Sequence, residues 1–133
     1  MFFEYVGGIA GYASLGKNYV EKCYNTGNIN CTGNYAGGII AYLSGSYSTS
    51  YDRAITKCYN TGNINSSGNY VGGLAGRSDS YKSIIRNSYN VGDVSGIKYV
   101  GGIVGENSYF VQNCYNLGDV SGTSYVGGVS GGK

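Results

Sequence analysis

The chain writes one eight-residue phrase twice: "CYNTGNIN" runs from Cys23 to Asn30 and again from Cys58 to Asn65. Variant copies follow, "SYNVGDVS" from Ser88 and "CYNLGDVS" from Cys114. Between the copies a second phrase recurs as "YVGGIAG" at Tyr5, "YAGGIIA" at Tyr35, "YVGGLAG" at Tyr70, "YVGGIVG" at Tyr99 and "YVGGVSG" at Tyr125. Self-similarity constrains a fold more than local propensity does, because each unit must stack on a near-copy of itself.

The spacing has a locked part and a free part. Counting from Tyr24 to Tyr35, Tyr59 to Tyr70, Tyr89 to Tyr99 and Tyr115 to Tyr125 gives 11, 11, 10 and 10 positions. From each anchor tyrosine to the next Cys-Tyr-Asn or Ser-Tyr-Asn phrase the count is 19, 24, 19 and 16. Stacked coils need equal lengths where they pair, whereas loops on one edge can swell. The 25 glycines leave apolar runs too short for helices, since each interior glycine costs about 1 kcal/mol against alanine. Short strands separated by tight turns fit instead. The expectation is an all-β chain. It forms a parallel β-solenoid (β-helix), right-handed by default, of four to five coils with insertions on one edge. The anchors lie 30, 35, 29 and 26 residues apart, which sets the coil length.

In such a coil equivalent residues stack about 4.7–4.9 Å apart, and the columns can be read off the sequence. Val6, Ala36, Val71, Val100 and Val126 make one aliphatic ladder; Ile9, Ile39, Leu74, Ile103 and Val129 make another. Val20, Ile55, Ile85 and Val111 form a third, and Ile29, Ile64, Val94 and Val120 a fourth. Ile39, Leu74, Ile103, Ile64 and Val94 are expected to be buried. The Gly-Gly pairs are expected at positive φ or at a close backbone approach. Gly27, Gly62, Gly92 and Gly118 occupy corners where a left-handed residue is expected. Asn25, Asn60, Asn90 and Asn116 can hydrogen-bond up the stack as an amide ladder. Identical corners stack best on identical corners, which accounts for the repeated phrase.

Composition removes several functions. There is no histidine, so imidazole bases, Ser-His-Asp and Cys-His nucleophile systems and the commonest metal ligand are missing. A net charge of +2, scattered along the chain, points to no nucleic-acid partner. No run of apolar residues is long enough to insert in a membrane. The opening "MFFEYVGG" lacks a signal-peptide pattern, so an export signal is expected to lie outside this stretch.

Several side chains invite a chemical role. Cys23, Cys58 and Cys114 share a column with Ser88; parallel stacked Cβ vectors suit a disulfide poorly and CxxC-type zinc spacing is absent. A buried column of small side chains is favoured, with Cys31, alone at a turn, the accessible thiol. Asn28, Asn63, Asp93 and Asp119 form a column whose two carboxylates could hold calcium or act as an acid/base pair, although a solvated turn is favoured. Tyr12, Tyr19, Tyr42, Tyr47, Tyr51, Tyr81 and Tyr109 lie outside the repeat columns. Of these, Tyr42, Tyr47, Tyr51, Tyr81 and Tyr109 mark a possible ligand surface of the Tyr/Ser/Asn type, the competing reading being solvated loops. "NCT" at Asn30 and "NSS" at Asn65 match the glycosylation acceptor pattern, and carry no weight in turns of this composition. No catalytic residue, cofactor or metal site emerges.

The phrases "GIAG" at Gly8, "GLAG" at Gly73 and "GIVG" at Gly102, with "YVGG" and "CYNTGNI", resemble the GLUG motif. "GIIA" at Gly38 and "GVSG" at Gly128 depart from it slightly. The resemblance covers nearly the whole chain and makes residues 1–133 one repeat solenoid, a segment of a longer array. It implies a tandem repeat of bacterial secreted or surface proteins, of the adhesin-like and immunoglobulin A1 protease type. In those proteins the repeats supply no catalytic residues. The function expected is a non-enzymatic structural or adhesive scaffold, a stalk or spacer at the cell surface or in the extracellular space. Its partners would be neighbouring repeats, or a host or matrix protein or glycan. The alternative is a subunit that stacks end to end into a filament, because neither terminal repeat looks like a polar cap. Val6, Ile9, Val126 and Val129 are the candidate end contacts.

Overall fold

The computed structural model describes residues 4–14, 19–44, 53–79 and 83–132, with residues 53 and 54 described by their backbone alone. Every strand pairing among them is parallel, and no described residue is helical. The chain is a parallel β-solenoid, as its periodicity predicts. Each coil visits four sheets in turn. The anchor sheet holds Val6–Gly7, Ala36–Gly37, Val71–Gly72, Lys98–Gly101 and Ser124–Gly127. The second sheet follows with Ala10–Ser14, Ile40–Ser44, Ala75–Ser78, Val104–Asn107 and Ser130–Gly132. The long sheet contains Ser83–Asn90 and Phe110–Asn116, matched in the earlier coils by Tyr19–Glu21 with Tyr24–Asn25 and Arg53–Thr56 with Tyr59–Asn60. The corner sheet closes the coil with Ile29–Cys31, Ile64–Ser66, Val94–Ser95 and Val120–Ser121.

The variable-length segment of every coil falls at one place, between the second and the long sheet. This is what a locked and a free spacing demand. The locked arc carries the core, in register. Val71 pairs with Ala36 and Val100, and Ile64 with Ile29 and Val94. The amide of Leu74 donates to Ile103 O at 2.8 Å, and that of Ile39 to Leu74 O at 2.9 Å. Ile39, Leu74, Ile103, Ile64 and Val94 are fully buried, as expected. They divide between two apolar clusters, one around Leu74 and Ile85 and one around Val71 and Ile64.

The corners differ from expectation. The left-handed residues are Lys22, Lys57, Asn87 and Asn113 before the Cys/Ser column, and the anchor tyrosines Tyr35, Tyr70, Tyr99 and Tyr125, with φ between 51 and 66°. None of the corner glycines Gly27, Gly62, Gly92 and Gly118 is left-handed; the role of Gly62, Gly92 and Gly118 is close approach. A Cβ at these positions would lie 2.6, 2.5 and 2.6 Å from the carbonyl carbon of Gly27, Gly62 and Gly92, with the oxygen nearer still. Left-handed φ costs a non-glycine residue roughly 1–2 kcal/mol. At the anchor corners a glycine would remove that strain but also the ring that stacks there, so tyrosine stays. At Gly62, Gly92 and Gly118 glycine answers the crowding of carbonyls on adjacent coils.

Candidate functional site

Most polar side chains of the locked arc bond to the next coil. Asn25 Nδ2 donates to Asn60 Oδ1 at 2.8 Å, Asn60 Nδ2 to Asn90 Oδ1 at 2.7 Å, and Asn90 Nδ2 to Asn116 Oδ1 at 2.8 Å. Each Nδ2 also donates to the carbonyl two residues on, closing the corner. The amide ladder is therefore present, and Asn60 and Asn90 are fully buried within it. It also explains the second glycine of the first four Gly-Gly pairs: a Cβ at Gly38 would stand 2.6 Å from Asn60 Cγ, whereas one at Gly128 would meet nothing.

The Asn28, Asn63, Asp93 and Asp119 column is exposed, yet it is bonded between coils. Asn28 Oδ1 accepts the Asn63 amide at 2.9 Å, Asn63 Oδ1 the Asp93 amide at 3.0 Å, and Asp93 Oδ1 the Asp119 amide at 2.9 Å. Only an acceptor oxygen is used, so asparagine and aspartate serve alike. That accounts for a column which changes from amide to acid without changing its geometry.

The four cysteines are free. In the Cys/Ser column each side chain donates to the carbonyl two residues back: Cys58 Sγ to Thr56 O, Cys114 Sγ to Gln112 O and Ser88 Oγ to Arg86 O, at 3.3, 3.2 and 2.7 Å. Serine substitutes because it makes the same bond. Cys31 does not behave as expected. It is buried to 6 % exposure, pairs with Ser66, and points its thiol at Gly33 O and Glu4. The sequence places it in a turn, whereas it is the last residue of an inward-alternating strand. Burial pushes the thiols of Cys58, Cys114 and Cys31 above the usual thiol range.

The anchor tyrosines stack from Tyr5 through Tyr125 at 4.7–5.1 Å between ring centroids, and Tyr24, Tyr59, Tyr89 and Tyr115 form a second stack at 5.0–5.1 Å. Among the candidate ligand tyrosines, Tyr42 lies within a strand and is half-buried. It stacks on Tyr12, meets Tyr35 edge-on, and donates its hydroxyl to Asp79 Oδ2. Desolvation, then Asp79, raises its pKa strongly. Arg77 covers Tyr42 and Tyr70 and pairs with Glu106 at 2.9 Å. Tyr109 packs on Phe110 at 4.3 Å. Tyr47, Tyr51 and Tyr81 lie outside the described residues.

A different surface is concave. The outer face of the long sheet, beside the left-handed corner, carries a groove of about 490 Å³ lined by Tyr19, Glu21, Lys57, Arg86, Gln112 and Asn113, among others. Glu21, Thr56, Arg86 and Gln112 are register partners on successive coils. Arg86 lies over the exposed Tyr19 ring at 5.9 Å, and Lys57 approaches Glu21 at 3.7 Å. Sequence reasoning passed over these residues. A signal existed: the two positions before each Cys/Ser read "EK", "TK", "RN" and "QN", variable and polar inside an otherwise repeated arc.

Residues 67–95, which span one anchor and the following Ser-Tyr-Asn phrase, match the family described as the GLUG motif. The chain also resembles a solved structure from Bacteroides ovatus, a protein provisionally named an immunoglobulin A1 protease. The TM-score is 0.71 at 27% identity, over 89% of this chain and 40% of that one. No curated protein matches the chain in sequence. The chain is thus a parallel solenoid that carries a GLUG-type repeat at residues 67–95, and it spans 40% of the length of the solved protein it resembles.

Proposed function

We propose that this solenoid is a non-enzymatic structural repeat scaffold, a stalk or spacer with adhesive capacity, in a bacterial cell-surface or secreted protein. The observation that carries this reading is the use of the repeated polar residues. The Asn ladder and the Asn/Asp column bond from coil to coil, and the Cys/Ser column bonds within its own coil and, at Cys58, Ser88 and Cys114, to a neighbouring one. The GLUG motif and the likeness to a Bacteroides ovatus protein named for an extracellular substrate support an exported setting. Two measurements test it. Antibody against the chain is expected to label intact producing cells or their medium, and label confined to permeabilised cells overturns the location. Incubation with immunoglobulin A1 is expected to leave it uncut, and cleavage overturns the non-enzymatic reading.

A second reading, stacking of copies end to end, rests on the outermost rungs. Ile9, Val126 and Val129 are 52 %, 42 % and 41 % exposed, against 0 % for Ile39, Leu74 and Ile103, and Val6 is half-buried. Such rungs are covered by neighbouring repeats of a parent chain or by a second copy in an open, heterologous contact. Sedimentation across a concentration series separates these. Growth of assemblies that V6K and V129K abolish supports self-stacking, and a monomer at every concentration removes it.

A further inference from the structure

We infer that the groove on the long sheet is a binding site for an acidic oligosaccharide. The inference goes beyond the scaffold reading and does not depend on it. The groove is continuous because three coils contribute the same two outward positions, one from the strand and one from the left-handed corner, and the first coil adds Glu21 and Tyr19. At about 4.8 Å per coil it runs about 14 Å from Glu21 to Gln112, so it accepts an extended ligand lying along the solenoid axis.

Its chemistry is that of sugar recognition. Tyr19, at the first-coil end, is an exposed aromatic ring that lines the groove, and an exposed ring face takes the apolar face of a pyranose. Further along, Asn87, Gln112 and Asn113 present side-chain amides, which both donate and accept, as hydroxyl pairs require, and Asn113 Nδ2 donates to Asn87 Oδ1 at 3.4 Å. Charge selects the sugar. Glu21 is engaged by Lys57, while Arg86 has no carboxylate partner among the described residues and faces the groove beside Tyr19. The planar fork of this guanidinium fits a carboxylate and favours a uronic-acid unit there. Arg77 and Lys98 do not share this setting: Arg77 is held by Glu106, and Lys98 sits over Tyr99 and Tyr125 on the anchor sheet.

The test uses the whole chain and short oligogalacturonides as probe, followed by calorimetry and by amide shifts. Binding is expected, with shifts concentrated on Tyr19, Arg86 and Gln112. R86Q is expected to weaken it at least about tenfold, and Y19A to weaken it comparably. K98Q removes the same charge from another face and is expected to leave affinity within about twofold, with unchanged circular dichroism for all three. Absence of binding overturns the site. Equal loss in R86Q and K98Q, or equal binding of polyglutamate, reduces it to net charge. Equal binding of a neutral galactan oligosaccharide overturns the acidic specificity. None of these failures touches the scaffold reading, which rests on the interior ladders.

Discussion

At the scale of single residues, crowding and hydrogen-bond accounting decide which positions tolerate change. Gly92→Ala forces a Cβ against the Gly62 carbonyl, whereas at Gly27 the nearest neighbour is Asn25 Oδ1 at 3.8 Å. Denaturant titration should show Gly92→Ala losing about 1–3 kcal/mol or more and Gly27→Ala changing little; equal effects would mean the coils are not in this contact. Asn90 is fully buried, with partners on both sides. Asn90→Ala orphans the Asn60 donor and the Gly92 carbonyl, at about 1–3 kcal/mol for each group left unpaired. Half-buried Asn25 should cost less. Thiol reactivity discriminates too. Cys58 and Cys31 should react with a thiol reagent more slowly than half-buried Cys23 and Cys114, and a fast Cys31 would contradict its burial. Because burial holds the Cys58 thiol above the reference value of 9.0, its neutral form favours the fold. That contribution is full below the unfolded thiol's pKa and falls as pH rises above it.

At the scale of elements, strands two to eight residues long are stable only because each pairs with a neighbouring coil, and those of the middle coils on both sides. Leu74→Ala in a middle coil should cost about 2–5 kcal/mol. Ile9→Ala in the first coil, half exposed, should cost much less; similar losses would mean that rung is covered. The strand columns were legible in the sequence because register repeats residue types: Ile39, Leu74 and Ile103 align by spacing alone. The corners were not. Glycine can take positive φ, but so can a tyrosine whose ring gains a stack, and spacing does not separate strain from crowding. Cys31 was misplaced for a related reason, since its turn begins one residue later than the glycine and asparagine pattern suggests. The groove was invisible because it arises from residues that differ between coils, and repeat reading discards differences.

For the whole molecule, the locked arc makes a scaffold with a shared interior and a variable exterior. The ladders set the coil rise, the segment between the second and long sheets absorbs insertions, and the outward positions beside the left-handed corner are free to vary. That division suits a chain that holds a constant geometry while presenting changing surface chemistry. Everything rests on coil-over-coil parallel register. Trans-hydrogen-bond scalar couplings measured by NMR on the labelled protein test that register directly. The account predicts couplings from the amides of Ile39, Leu74 and Ile103 to the carbonyls of Leu74, Ile103 and Val129, and from Ile64 and Val94 to Asp93 and Asp119. Couplings that pair these amides with the adjacent strand of their own repeat, as in an antiparallel hairpin, would contradict it.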